Sequence, residues 1–196
     1  MIKNIFTTAI YQTELNFDVN LLTDRVYKIY EENKNIKSDW YCDTWNSLLN
    51  HNLIEDKHFN NLLYEISNNV KIFSKEYQLE ENKKLACSAA WVNISKQNNF
   101  QEFHNHANSH FSVVFYIKTK KNCGNIIFKN TEAFFDMFTL PIQKDSYNIL
   151  NCKTYSVEPK DNMLLIFRSN LQHMVEKNIS NSDRISLSAN FKILNN

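Results

Sequence analysis

The hydrophobic rhythm of the chain changes near its middle. In the first part apolar residues recur at intervals of three and four: Leu22, Val26, Ile29 and Tyr30 follow Asn20-Leu21 as one amphipathic helix. Phe59, Leu62, Leu63, Ile66, Val70 and Phe73 form a second, with Asp56 placed to cap it. Ile5 to Tyr11 reads as a short extended opening. Trp40 and Trp45, between the helices, lie in a stretch without a clear period. From about Leu85 the pattern becomes short strands. These are Ala89–Asn93, Phe111–Ile117, Ile126–Phe128, Lys153–Val157, Met163–Phe167, His173–Glu176 and Arg184–Phe191. Phe111–Ile117 has a single polar residue, Ser112, and so predicts a strand buried on both faces. Asn122–Asn125 and Pro159–Asn162 are turn signals.

Strands separated by turns in the later two thirds predict a β-sandwich or barrel, and the lack of strand–helix alternation argues against a parallel sheet. The expected organisation is one domain over residues 1–196. A helical N-terminal portion (1–84) packs on a β core (85–196). With one glycine and two prolines, turns must rely on asparagine, which tolerates left-handed backbone.

Composition narrows the function classes. Twenty-two Lys plus Arg against 21 Asp plus Glu leave a net charge of +1, without the cationic excess that phosphate backbones require. Lys118-Thr119-Lys120-Lys121 reads as a solvated hairpin tip. Cys42, Cys87, Cys123 and Cys152 form no CxxC pair, so neither a zinc finger nor a redox motif is indicated. The opening residues lack the apolar core of a signal peptide, and no apolar run is long enough to span a bilayer. A reducing, cytoplasmic compartment is the expectation.

The density of interpretable chemistry is highest around His104-Asn105-His106. In an extended strand residues i and i+2 share a face, so the pair can hold one metal ion if a third ligand is delivered. The other reading is two partly exposed histidines in an Asn-rich loop. His173 is the candidate third ligand; His110 competes from four residues beyond His106. A closing hairpin centred between Asn178 and Ile179 would set His173 directly opposite Arg184. Arg184, Ser186, Ser188 and Asn190 then line one face and Ile185, Leu187, Ala189 and Phe191 the other. A one-residue slip would exchange the faces. The Arg184 guanidinium suits a carboxylate, with Ser186 adding a hydroxyl. The competing use of Arg184 is a surface salt bridge with Glu176 or Asp183. Tyr116 and Asn93 are further polar candidates, as pocket groups or as a core tyrosine and an edge-strand amide.

Ala90-Trp91-Val92-Asn93, His104-Asn105-His106, Ser112–Tyr116, Met163–His173 and Asp183–Asn190 together resemble a family of 2-oxoglutarate–Fe(II) oxygenases common in marine phages and bacteria. Ile5-Phe6 and Thr44-Trp45 resemble its N-terminal part. The resemblance implies a mainly β double-stranded β-helix (jelly roll) with N-terminal helices on one sheet. It also implies Fe(II) held by His104, His106 and His173, and 2-oxoglutarate bound through Arg184 and Ser186, with Tyr116 and Asn93 in the pocket. His106 stands where the wider superfamily has aspartate, and Arg168 where the family pattern often has proline. The implied reaction consumes 2-oxoglutarate and O₂, releases succinate and CO₂, and hydroxylates a substrate. Three neutral imidazoles would leave the metal charge less compensated than two and a carboxylate.

Two rivals fit parts of the pattern. A cupin-type oxygenase or isomerase uses a His-x-His doublet without a keto acid, although the glutamate expected after the doublet is missing. A non-catalytic jelly-roll binding module of phage origin would carry degenerate histidines. The primary substrate and oligomeric state are not readable. Trp40, Trp45, Trp91 and Phe134-Phe135 read as core or cap aromatics, with a substrate groove as the alternative use.

Overall fold

The computed structural model describes residues 1–36, 42–80, 82–130, 141–146 and 148–194. Trp40, Phe134 and Phe135 lie outside the described residues. The elements run β1 (Ile10–Glu14), α1 (Val19–Asn33), β2 (Trp45–Asn46), α2 (Asn60–Lys75), β3 (Lys84–Ser95), β4 (Gln101–His104) and β5 (Phe111–Lys118). They continue with β6 (Ile126–Lys129), β7 (Thr154–Val157), β8 (Met163–Arg168), β9 (His173–Val175) and β10 (Arg184–Leu194). A six-stranded sheet is ordered β1-β8-β5-β10-β3-β2 and a four-stranded sheet β4-β9-β6-β7. The described strand pairs are antiparallel. This is the antiparallel, mainly β jelly-roll architecture that the strand pattern and the resemblance predicted. The opening strand starts later than expected, because Ile5 and Phe6 are exposed and only Ile10–Glu14 pairs, with β8.

Both helices follow the predicted apolar spacing. Asp18 caps α1 by accepting from the Asn20 and Leu21 backbone N–H groups. Asp56 accepts from His58 N–H and caps a short 3₁₀ turn, Lys57–Phe59, that leads into α2. Val26 and Ile29 of α1 and Leu62, Ile66, Val70 and Phe73 of α2 bury against the large sheet.

The large sheet works on both faces with period two. Ile185, Leu187, Ala189 and Phe191 of β10 meet the helices, as do Phe111, Val113, Phe115 and Ile117 of β5 and Leu164 and Ile166 of β8. The opposite side of β5 and β8 carries Tyr116, Met163, Leu165 and Phe167, which pack with Ile126, Phe128, Val157 and Leu171 between the two sheets. Hence β5 and β8 read as near-continuous apolar runs, as predicted for Phe111–Ile117. Strand β10 does not. Its inward positions are Arg184, Ser186, Ser188 and Asn190, and they line a cavity between the sheets.

One predicted register is wrong. His173 and Arg184 are not hairpin partners, because β9 pairs with β4 and β6 in the small sheet while β10 lies between β5 and β3 in the large one. The chain from Glu176 to Asp183 crosses between sheets instead of reversing within one. The predicted division of β10 into a polar and an apolar face nevertheless holds. The Lys118–Lys121 tip likewise joins strands of different sheets. Among the described residues no helix is long and apolar enough to cross a membrane. The four cysteines are free.

Candidate metal centre

His104 is the last residue of β4 and stands directly across from His173 on β9. His106 lies just past the end of β4, in the loop to β5, so the two doublet residues do not share one strand as the alternation argument supposed. The His106 backbone N–H donates to Ser169 O at 2.8 Å, which pins that loop to the end of β8. The three rings converge: one potential ligand nitrogen from each lies within 4.8 Å of the others. Ring centroids are 4.2 Å apart for His104–His173, 5.2 Å for His104–His106 and 5.4 Å for His106–His173. His110 takes another task, accepting from Ile193 N–H through Nδ1. His51 and His58 flank Asp56 far along the chain.

Local hydrogen bonds orient two of the rings. His104 Nδ1 lies 2.8 Å from Glu102 O and His173 Nδ1 2.9 Å from Leu171 O. A carbonyl only accepts, so both rings carry their proton on Nδ1, and Nε2 carries the lone pair that could bind a metal. Burial lowers the pKa of all three. His173 falls to about 3 through burial and the neighbouring His104, and His106 to about 4 for the same reasons. His104 is lowered mainly by burial. Neutral imidazoles in van der Waals range, with two Nε2 atoms preset, are a donor set suited to a divalent transition metal.

Arg184 faces the same cavity, of about 280 Å³, and is 3% exposed. Its Nη1 donates to Cys123 O at 3.1 Å and Gly124 O at 3.0 Å, and its Nη2 to Ser95 Oγ at 2.8 Å. The surface salt bridge foreseen as its other use is absent. Asp183 accepts from Tyr27 Oη at 2.8 Å and Glu176 from Asn125 N–H at 3.2 Å. The acceptors of Arg184 are therefore neutral, and burial acts against its charge. A buried guanidinium held by three neutral acceptors leaves a net positive charge in the cavity, a cost that an anion would remove.

The other sequence candidates stand in one row. Ser186 is opposed by Tyr116 on β5 and by Asn93 on β3, and all three line the cavity. A shift of register in the β5 pairing between Ile185 and Ser186 brings Tyr116 opposite Ser186. Burial raises the Tyr116 pKa, with Arg184 pulling against it, so the phenol remains a neutral donor. Asn93 is partly committed: its Nδ2 donates to Ser188 Oγ at 3.0 Å and its Oδ1 accepts from Trp91 Nε1 at 3.2 Å. Trp91 is buried, lines the cavity and lies 5.7 Å from His106, centroid to centroid. Trp45 instead packs edge-on against Tyr30. Arg168 points out of the site, donating to His110 O and lying over Tyr77 and Phe111.

Sequence reasoning missed Ser95, the Cys123 and Gly124 carbonyls, and the Ser112–Asn190 pair beside His106. Ser95 becomes visible only through the β3/β10 register, which sets it opposite Arg184.

A family model described as "Putative 2OG-Fe(II) oxygenase" matches residues 89–190. No curated protein matches the chain in sequence. Among solved structures, a prolyl-4-hydroxylase from Pseudomonas putida is similar with a TM-score of 0.66 at 13% identity, covering 95% of this chain and 93% of that one. A prolyl hydroxylase from Trichoplax adhaerens, in complex with a hypoxia-inducible-factor peptide, gives 0.63 at 12%, covering 95% and 84%. HygX from Streptomyces hygroscopicus, solved with nickel, 2-oxoglutarate and hygromycin B, gives 0.58 at 9%, covering 95% and 83%. These likenesses establish the fold. The matched segment, just over half of the chain, runs from Ala89 on β3 to Asn190 on β10 and contains all seven candidate residues; the chain belongs to the family of 2-oxoglutarate- and Fe(II)-dependent oxygenases.

Proposed function

We propose that the protein consumes O₂ and 2-oxoglutarate, one oxygen atom hydroxylating a C–H bond of a primary substrate and the other entering succinate as CO₂ is released. The observation that carries this reading is the pairing, across one cavity, of three converging neutral histidines with a buried guanidinium that has no carboxylate partner. A cupin-type site without a keto acid gives Arg184 no purpose.

In this reading His104, His106 and His173 hold Fe(II). Arg184 takes the far carboxylate of 2-oxoglutarate, its orientation preset by Ser95, Cys123 and Gly124 before the ligand arrives. Ser186 and Tyr116, neighbours in the same row, add neutral hydroxyls to the cavity wall. Asn93 acts mainly by fixing Trp91 and Ser188. When bound, the iron and the keto acid supply the oxidative chemistry, and the protein positions them and excludes water.

Anaerobic titration of the Fe(II)-loaded protein with 2-oxoglutarate tests the proposal, followed by exposure to O₂ and measurement of succinate. Saturable binding and succinate release are expected. Absence of 2-oxoglutarate binding by iron-loaded protein would overturn it in favour of the cupin-type alternative.

A further inference from the structure

His106 is held differently from its two partners. His104 and His173 each turn Nδ1 toward a backbone carbonyl two residues earlier, whereas His106 turns Nδ1 toward a side chain, Nδ2 of the Asn190 amide, at 3.4 Å. Asn190 is itself tied down. Its Oδ1 is 2.9 Å from Ser112 Oγ, which is 2.8 Å from Ser169 Oγ. Ser112 and Asn190 are opposed across β5 and β10. The Ser169 carbonyl in turn receives the His106 backbone N–H, so the chain of polar groups closes on the residue where it began.

The amide of Asn190 can be read in either of two orientations, related by a half turn that exchanges O and N. With Nδ2 toward the ring, Nδ1 of His106 must accept and the ring proton sits on Nε2. With Oδ1 toward the ring, Nδ1–H donates to it. Nδ2 then donates to Ser112 Oγ, and the Ser112 hydroxyl donates to Ser169 Oγ. Both arrangements satisfy every group, but only the second leaves Nε2 of His106 with a lone pair.

We infer that Asn190, backed by Ser112 and Ser169, is a positioning residue that holds His106 as its Nδ1–H tautomer and so presents Nε2 alongside the ligand nitrogens of His104 and His173. The inference rests on the metal reading proposed above. A neutral histidine free in water favours the Nε2–H form, so His106 needs such a partner. The backbone supplies this function for the other two rings; here the β10 strand supplies it.

The test uses the full-length, metal-free protein labelled with ¹⁵N in histidine, in which long-range ¹H–¹⁵N correlations report each ring's tautomer, together with Co(II) binding as a second readout. In the wild type all three rings give the Nδ1–H pattern. In Asn190→Ala the His106 pattern moves to Nε2–H while His104 and His173 keep theirs, which general unfolding would not produce. Co(II) affinity falls roughly ten- to a hundredfold, the usual consequence of losing a partner behind a ligating histidine. Asn190→Asp retains the Nδ1–H form and recovers most of the affinity. If Asn190→Ala does not fold, Ser112→Ala breaks the same relay and shifts the His106 pattern in the same direction. An Nε2–H pattern for His106 in the wild type, or a pattern indifferent to both variants, overturns the inference. Failure of the wild type to bind Co(II) counts against the metal site, and the tautomer spectra still decide what Asn190 does.

Discussion

The chain's single glycine, Gly124, holds the Arg184 guanidinium by its own carbonyl at 3.0 Å. Its φ of +93° is one that side chains rarely adopt, and an added Cβ would sit 2.2 Å from Glu176 O and 3.1 Å from Arg184 Nη1. Gly124→Ala must therefore move the backbone that cradles the arginine. We expect a loss of stability of about 1–3 kcal/mol in denaturant titration, and weaker 2-oxoglutarate binding in the fraction that folds. Unchanged affinity would mean that the cradle does not set the guanidinium.

Arg184→Ala removes the proposed anion anchor but leaves the histidines in place. A charge-assisted hydrogen bond is worth about 1.5–3 kcal/mol, so the half-saturating 2-oxoglutarate concentration should rise at least tenfold. The maximal rate of succinate release should change less. A variant that binds 2-oxoglutarate like the wild type would remove Arg184 from the proposed site.

His104→Ala and His173→Ala each take one arm from a facing pair. Both should abolish stoichiometric metal binding and succinate formation, measured by metal analysis and product assay, while circular dichroism stays native. Turnover at the wild-type level in His173→Ala would sink the ligand assignment.

His106→Asp tests charge balance. A carboxylate in place of the third neutral imidazole adds one negative charge to the donor set, so Fe(II) should bind more tightly and depend less on 2-oxoglutarate for retention. Iron affinity insensitive to the exchange would show that compensation by the co-substrate is unimportant.

Part of the acid sensitivity should originate away from the cavity. Asp56, nearly buried, accepts from Arg25 at 2.7 and 2.9 Å, from the His58 backbone N–H at 3.0 Å, and lies 2.9 and 2.8 Å from the His51 and His58 rings. Burial alone would raise its pKa, but the hydrogen bonds from His58, His51 and Arg25 outweigh that and hold it well below the usual carboxylate range. A depressed folded-state pKa contributes stability that is present above the unfolded value and drains as pH falls below it, by about 1.4 kcal/mol per pH unit. The stability difference between wild type and Asp56→Asn, measured by chemical denaturation between about pH 4 and about pH 2, should shrink with this slope. At neutral pH the same variant should cost about 2 kcal/mol.

How much of this was legible beforehand depended on distance along the chain. Helices α1 and α2 and the two faces of β10 were readable because period and polarity are local properties of consecutive residues. The histidines and Arg184 were readable as a set through the resemblance of their flanking segments. The partner of each was not. His173 looked like the partner of Arg184 because nearby strands usually form hairpins, but the jelly roll sends the chain to the other sheet, where His104 waits. Ser95, the Cys123 carbonyl and the Ser112–Asn190 pair depend on pairings 61 to 89 residues apart, which no local pattern encodes. The Arg25–Asp56 contact, 31 residues apart, was likewise invisible to local pattern.

The alternation along β10 also limits how this enzyme can change. From Arg184 to Phe191 each residue serves either the cavity or the packing under the helices. Substitutions there can be absorbed one at a time, but a single-residue deletion near the start of the strand cannot. It would turn aliphatic side chains into the cavity that Arg184 faces and press serines and an asparagine against α1 and α2. Length variation in this family should accordingly collect in the loops and spare this strand, whose reading frame is shared by the chemistry and the core.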